Sequence, residues 1–114
     1  MLQTIISFTG RALLALLFIS AGGLKLARPQ AFVAHMAEQH IPTGLLPLVI
    51  GLELAAGCCV LLGWQLAYSA GALAVFCVAT AIIFHRDFSQ KAERTLFAKD
   101  LAIAGALMML AAGA

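Results

Sequence analysis

Residues 48–62 read LVIGLELAAGCCVLL, an apolar run with one ionisable side chain, Glu53, and no base to neutralise it. A carboxylate in such a place holds a counter-charge from elsewhere in the chain, carries protons, or anchors a polar ligand. Left bare and away from water it is expensive. Arg11, Lys25, His85 and Asp100 also stand in or beside apolar stretches. Other chemistries find less support. Cys58, Cys59 and Cys77 form no CxxC pattern, and each reads as a small buried side chain. Adjacent cysteines such as Cys58 and Cys59 resist bridging on geometric grounds. His35 and His40 have no carboxylate or thiol at ligand spacing, so they read as solvated side chains and no metal site is expected. With no nucleophile–base pair, phosphate loop or haem-type ligand pair, the chain is not expected to be an enzyme on its own. A net charge of +2 without a basic run gives no reason to expect nucleic acid.

The elements that carry these residues follow from composition. Of the 114 residues, 63% are hydrophobic and 11% charged, and the mean hydropathy is +1.03. Soluble domains carry roughly 25% charged residues, so this chain has too little polar surface to cover a water-soluble globule. An integral membrane protein is the expectation. No charge occurs in the 31 residues from Leu54 to Phe84. As one helix that run would be about 46 Å long, against a hydrocarbon core of about 30 Å. It therefore divides, and Gly63-Trp64-Gln65 supplies a helix stop and an interfacial aromatic. A span ending at Gly63 must begin near Leu45, after Pro42-Thr43-Gly44, and so carries Glu53 into the membrane.

The expected spans are residues 4–27, 45–63, 65–84 and 96–113, an all-α, antiparallel four-helix bundle forming a single transmembrane domain. A signal peptide is the rival reading of the first span, with Ser20-Ala21-Gly22 as its cleavage site. The apolar stretch before Arg11 weighs against it. Pro29–His40 suits a short amphipathic helix between spans one and two, with Phe32, Val33 and Met36 on one side. His85–Arg94 is expected to be a loop. Six of the seven Lys and Arg residues, all except Arg11, fall on one side of this arrangement. That bias places both termini outside and the longer loops in the cytoplasm.

On span one, Arg11, Ala15, Phe18, Gly22 and Lys25 share a face, as do Glu53, Ala56, Gly57 and Val60 on span two. Glu53 lies about 12 Å from the cytoplasmic edge. Lys25, His85 and Asp100 are near that edge, with Arg11 toward the other. The expectation is a buried polar cluster of Arg11, Lys25, Glu53, His85 and Asp100, serving either as an ion-pair lock between helices or as a ligand- or proton-handling site.

RALLALLFISAGGLKL (11–26), Phe32 and Ile41-Pro42, GLELAAGCCVLLG (51–63), AIIFHRDF (81–88) and FAKDLAIAGALMML (97–110) together resemble the DoxX family. The resemblance implies a small bacterial inner-membrane protein of four spans, and it points to Arg11, Lys25, Glu53 and Asp100. Some relatives are linked to quinone-coupled sulfur oxidation or to membrane redox complexes handling thiol stress. It thus implies a membrane subunit of a redox or stress-response complex, with a quinone-like lipid as candidate cofactor and a soluble or membrane redox protein as candidate partner. Two other classes stand beside it. A small multidrug exporter matches in length and in having one intramembrane glutamate, but its glutamate is in the first span, and its dual-topology members need weak charge bias. A structural or assembly partner without a ligand is the third.

Overall fold

A computed structural model describes residues 1–84 and 91–113, apart from the side chain of Glu93. His85, one of the expected cluster residues, lies outside the described residues. The described chain is helical: α1 (Leu2–Ala27), α2 (Gln30–Glu38), a 3₁₀ turn (Thr43–Leu45), α3 (Leu46–Leu62), α4 (Leu66–Phe84) and α5 (Lys91–Ala112). Among the described residues four segments, Leu2–Ala27, Thr43–Leu62, Leu66–Phe84 and Arg94–Ala112, are long and apolar enough to cross a membrane. The protein is an all-α membrane helical bundle.

Local chemistry sets the breaks. Pro29 caps α2 and Pro47 lies in the first turn of α3, where a missing N–H costs nothing. Gly63 ends α3 in the left-handed conformation, φ 72°. The Trp64 amide donates to the Cys59 carbonyl at 2.9 Å and the Gly63 amide to Val60 at 3.2 Å, a Schellman closure. α2 closes in the same way through Ile41 and His40, with His40 at φ 59° where glycine would be easier. One expectation needs correcting. Lys91–Arg94 is already helical, because Lys, Ala, Glu and Arg are strong helix formers and extend α5 beyond its apolar part.

Two helix pairs, α1 with α3 and α4 with α5, are joined where α3 meets α4. The core is built largely of small side chains: Ala15, Ala56, Ala70, Ala74, Cys77 and Ala104, with Phe18, Val60, Leu73 and Leu107. Many large apolar side chains point outward instead, Leu13, Leu48, Val75 and Met109 among them. Lipid is as apolar as leucine, so burying leucine gains little, and close backbone approach holds the helices together. α1 and α3 show such an approach. A methyl group added at Gly22 would lie 2.9 Å from Leu54 Cγ, and one added at Gly57 would lie 3.1 Å from Ile19 Cγ1. Cys58 corrects the expectation of three buried thiols: it is exposed on the outside of α3, about 100° round the helix from Gly57. Cys77 is buried and Cys59 half-buried.

Candidate functional site

Lys25 is in the last turn of α1, where the unpaired carbonyls of the helix end favour a cation. Gly22 lies one turn earlier on the same face, and its missing side chain lets α3 come close enough for Lys25 to reach Glu53. The two side chains form an ion pair and a charge-assisted hydrogen bond from Lys25 Nζ to Glu53 Oε1. Burial is unequal: the Glu53 side chain is 3% exposed and that of Lys25 16%. The ammonium also faces aromatic rings, with Nζ 4.3 Å from the Phe32 centroid and 5.7 Å from that of Phe76. Each ring offers its negative face to the cation, a further stabilisation of Lys25 where it stands.

This pair forms one wall of a cavity of about 280 Å³. All five helices line it: Leu17, Phe18, Ala21 and Lys25 from α1; Phe32 and His35 from α2; Glu53 from α3; Phe76, Cys77, Thr80 and Phe84 from α4; Asp100 and Ile103 from α5. α2 closes the end of the bundle by stacking on α4. Phe32 lies 5.7 Å from Phe84 between centroids, and the His35 ring meets Phe84 edge-on at 4.8 Å. The Thr80 hydroxyl donates to the Cys77 carbonyl at 3.0 Å, which ties it to its own helix.

Of the residues singled out from the sequence, Lys25, Glu53 and Asp100 line this cavity. Arg11 does not. It lies toward the other end of α1, over the turn that ends α3, where a methyl group added at Gly63 would be 3.3 Å from the guanidinium carbon. Its length was read as reaching toward Glu53, but α3 closes at Gly63 beside it, and the pairing is made by Lys25 alone. His35 is the reverse case. Read as a solvated side chain, it is half-buried against Phe84 in the cavity wall, because α2 folds back over the helix ends. Phe32, Phe76 and Phe84 were not foreseen in this role. The seven-residue spacing from Lys25 to Phe32 crosses a helix break, so no periodicity signalled it. Among the described residues no group of His, Cys, Asp and Glu side chains is arranged to hold a metal ion.

A cavity with a charged pair at one wall and phenyl rings around it can receive a compact, flat or amphipathic group. The ammonium has donors beyond the one given to Glu53. The glutamate, in contrast, is enclosed almost completely.

Comparison with known proteins agrees with this architecture. The DoxX family model matches residues 6–86, which span α1 to α4 and carry Arg11, Lys25 and Glu53 but not Asp100. The inner membrane protein YqjF of Escherichia coli (strain K12) is 35% identical over 101 residues, covering 89% of this chain and 78% of that protein. No solved structure matches the chain. With the family model covering well over half of the sequence, and a relative aligned along most of both lengths, the chain belongs to the DoxX family.

Proposed function

We propose that this DoxX-family protein is a multi-pass subunit of an inner-membrane redox or stress-response complex, and that its cavity receives the head group of a quinone-like lipid. One observation carries the reading: a single cavity brings together the Lys25–Glu53 pair, Asp100 and the rings of Phe32, Phe76 and Phe84. A flat ring stacks on phenyl faces, and a carbonyl oxygen accepts a hydrogen bond from an ammonium. The volume of about 280 Å³ is near the lower bound, roughly 300 Å³, of small-molecule pockets, which suits a head group without its tail. Leu17, which is 45% exposed, lines the same cavity, so a tail has a way out between helices into lipid. When bound, a quinone supplies two-electron carrier chemistry, while the chain's own residues bind and orient it. The inner-membrane name of the E. coli relative supports that membrane, and the six-to-one bias of basic residues supports both termini lying outside. The oxidoreductase activity belongs, on this reading, to a partner protein.

The test is reconstitution in lipid nanodiscs with a short-tailed ubiquinone or menaquinone analogue, read by binding isotherm and by thermal unfolding. Saturable binding that raises the midpoint, and that Phe76→Ala and Lys25→Met weaken, is the expected outcome. No saturable binding of either analogue would overturn the ligand assignment. The close packing of Gly22 on Leu54 and Glu53 favours a second reading, in which the ion pair only locks α1 to α3. A Lys25→Met, Glu53→Leu double variant that keeps full quinone binding would select the lock.

A further inference from the structure

The end of the bundle away from the cavity carries a second polar assembly. α1 has 26 residues and α3 has 17, so α1 runs past the turn at Gly63. Leu2 to Gly10 are all exposed. This overhang is amphipathic. Gln3, Thr4, Ser7 and Arg11 lie within about 100° of one another around the helix, and Leu2, Ile5 and Ile6 occupy the opposite side. Arg11, at the inner end of the stripe, lies against Gly63 in the α3–α4 turn. An opening of about 330 Å³ is lined by Gln3, Thr4, Ser7, Phe8 and Arg11.

Among the described residues Arg11 has no ion-pair partner. Residues 1–37, 54–84 and 101–113 contain no Asp or Glu. Glu53 is committed to Lys25, and Asp100 lines the cavity at the other end. Nε of Arg11 is buried without a hydrogen-bond partner among the described residues, and the guanidinium carbon stands 5.5 Å from the Phe8 ring centroid. Trp64, directly after Gly63, and Tyr68, in the first turn of α4, are 64% and 79% exposed, and exposed Trp and Tyr suit a membrane–water interface. Lipid phosphates lie at that level. A planar guanidinium donates two parallel hydrogen bonds to a phosphate, and nearby hydroxyls and amides supply further donors.

From these observations we infer that Arg11, with Ser7, Thr4 and Gln3, forms a binding site for a phosphate-type oxyanion at the Gly63 end of the bundle. The site is independent of the cavity and of any quinone. Anionic lipid headgroups and free phosphate present the same chemistry, and the experiment separates them.

Protein reconstituted in mixed phosphatidylglycerol and phosphatidylcholine is released from detergent into native mass spectrometry, and retained lipid is counted. Wild type is expected to retain phosphatidylglycerol at least about tenfold better than Arg11→Gln, with Arg11→Lys between them. A Thr4→Val, Ser7→Ala variant keeps the charge and is expected to lose retention several-fold while its helicity and thermal midpoint in phosphatidylcholine stay unchanged. If inorganic phosphate at millimolar concentration displaces the lipid, or protects lipid-free protein only when Arg11 is present, the site takes a free oxyanion; lipid retention indifferent to phosphate assigns it to a headgroup. Equal retention by wild type and Arg11→Gln, with no Arg11-dependent effect of phosphate, overturns the inference.

Discussion

Removing Lys25 alone from the Lys25–Glu53 pair should cost more than removing both charges together. Lys25→Met leaves a carboxylate with a 3% exposed side chain and no cation. Breaking a buried pair in this way costs about 3–5 kcal/mol in soluble proteins. Glu53→Gln should be milder. The amide oxygen still accepts a hydrogen bond, and Lys25 keeps the Phe32 face at 4.3 Å and a 16% exposed route to water. A loss of about 2 kcal/mol is expected there. The double variant places an apolar side chain beside a neutral amide, with one imperfectly satisfied polar group, at about 2–3 kcal/mol. The single losses sum to about 5–7 kcal/mol, so the cycle should return a coupling of about 3 kcal/mol, with Lys25→Met the worse single change. The assay is reversible unfolding in mixed micelles of dodecylmaltoside and SDS, followed by circular dichroism. Losses additive within about 0.5 kcal/mol would refute the view that this pair holds α1 to α3.

Gly22→Ala should lose about 1–3 kcal/mol in the same assay, because its new methyl meets Leu54 Cγ at 2.9 Å, whereas Gly23→Ala points into open space and should gain up to about 1 kcal/mol. Gly63→Ala should cost about 1–2 kcal/mol for its left-handed φ of 72°; most of that cost should survive in an Arg11→Ala background, since it belongs to the backbone. Membrane-impermeant maleimide should label no cysteine in intact membranes, whereas a lipid-soluble maleimide should modify exposed Cys58 first and buried Cys77 last; a tandem mass measurement of labelled peptides reads the order. A reporter fused after Ala114 should respond to the outer compartment, and a cytoplasmic response would reverse the proposed orientation.

Glu53 was placed in the membrane by length alone, since a 31-residue uncharged run cannot be one span and its division leaves a single place for the second helix. The Lys25–Glu53 juxtaposition was legible as one of two pairings because both residues lie on helix faces rich in small side chains. Choosing between Lys25 and Arg11 was beyond pattern reading. Both suit the length and charge, and the decision rests on how far α1 slides along α3, which the contacts at Gly22 and Gly57 set. The cavity was less visible. Phe76 and Phe84 sit in a helix that is apolar on every side, so nothing in α4 marks which faces meet the polar wall. His35 was missed because α2 is short and polar, and its fold back over Phe84 is a tertiary event with no local signature.

The order in which the ion pair's members appear along the chain bears on biogenesis. Lys25 precedes Glu53 by 28 residues, so α1 has left the ribosome before α3 enters the translocon. A glutamate near the middle of a segment is a penalty at the lateral gate, of the order of that for aspartate, about 2.5–3.5 kcal/mol on insertion scales. An early helix carrying the matching ammonium, with glycine at the point of contact, would offset that penalty where the two helices meet during insertion. Reversing the two residues would leave each helix's composition almost unchanged. It would place an unmatched acid in the pioneer segment and put the base in the second. Exchanging Lys25 and Glu53 is therefore expected to lower the insertion efficiency of α1.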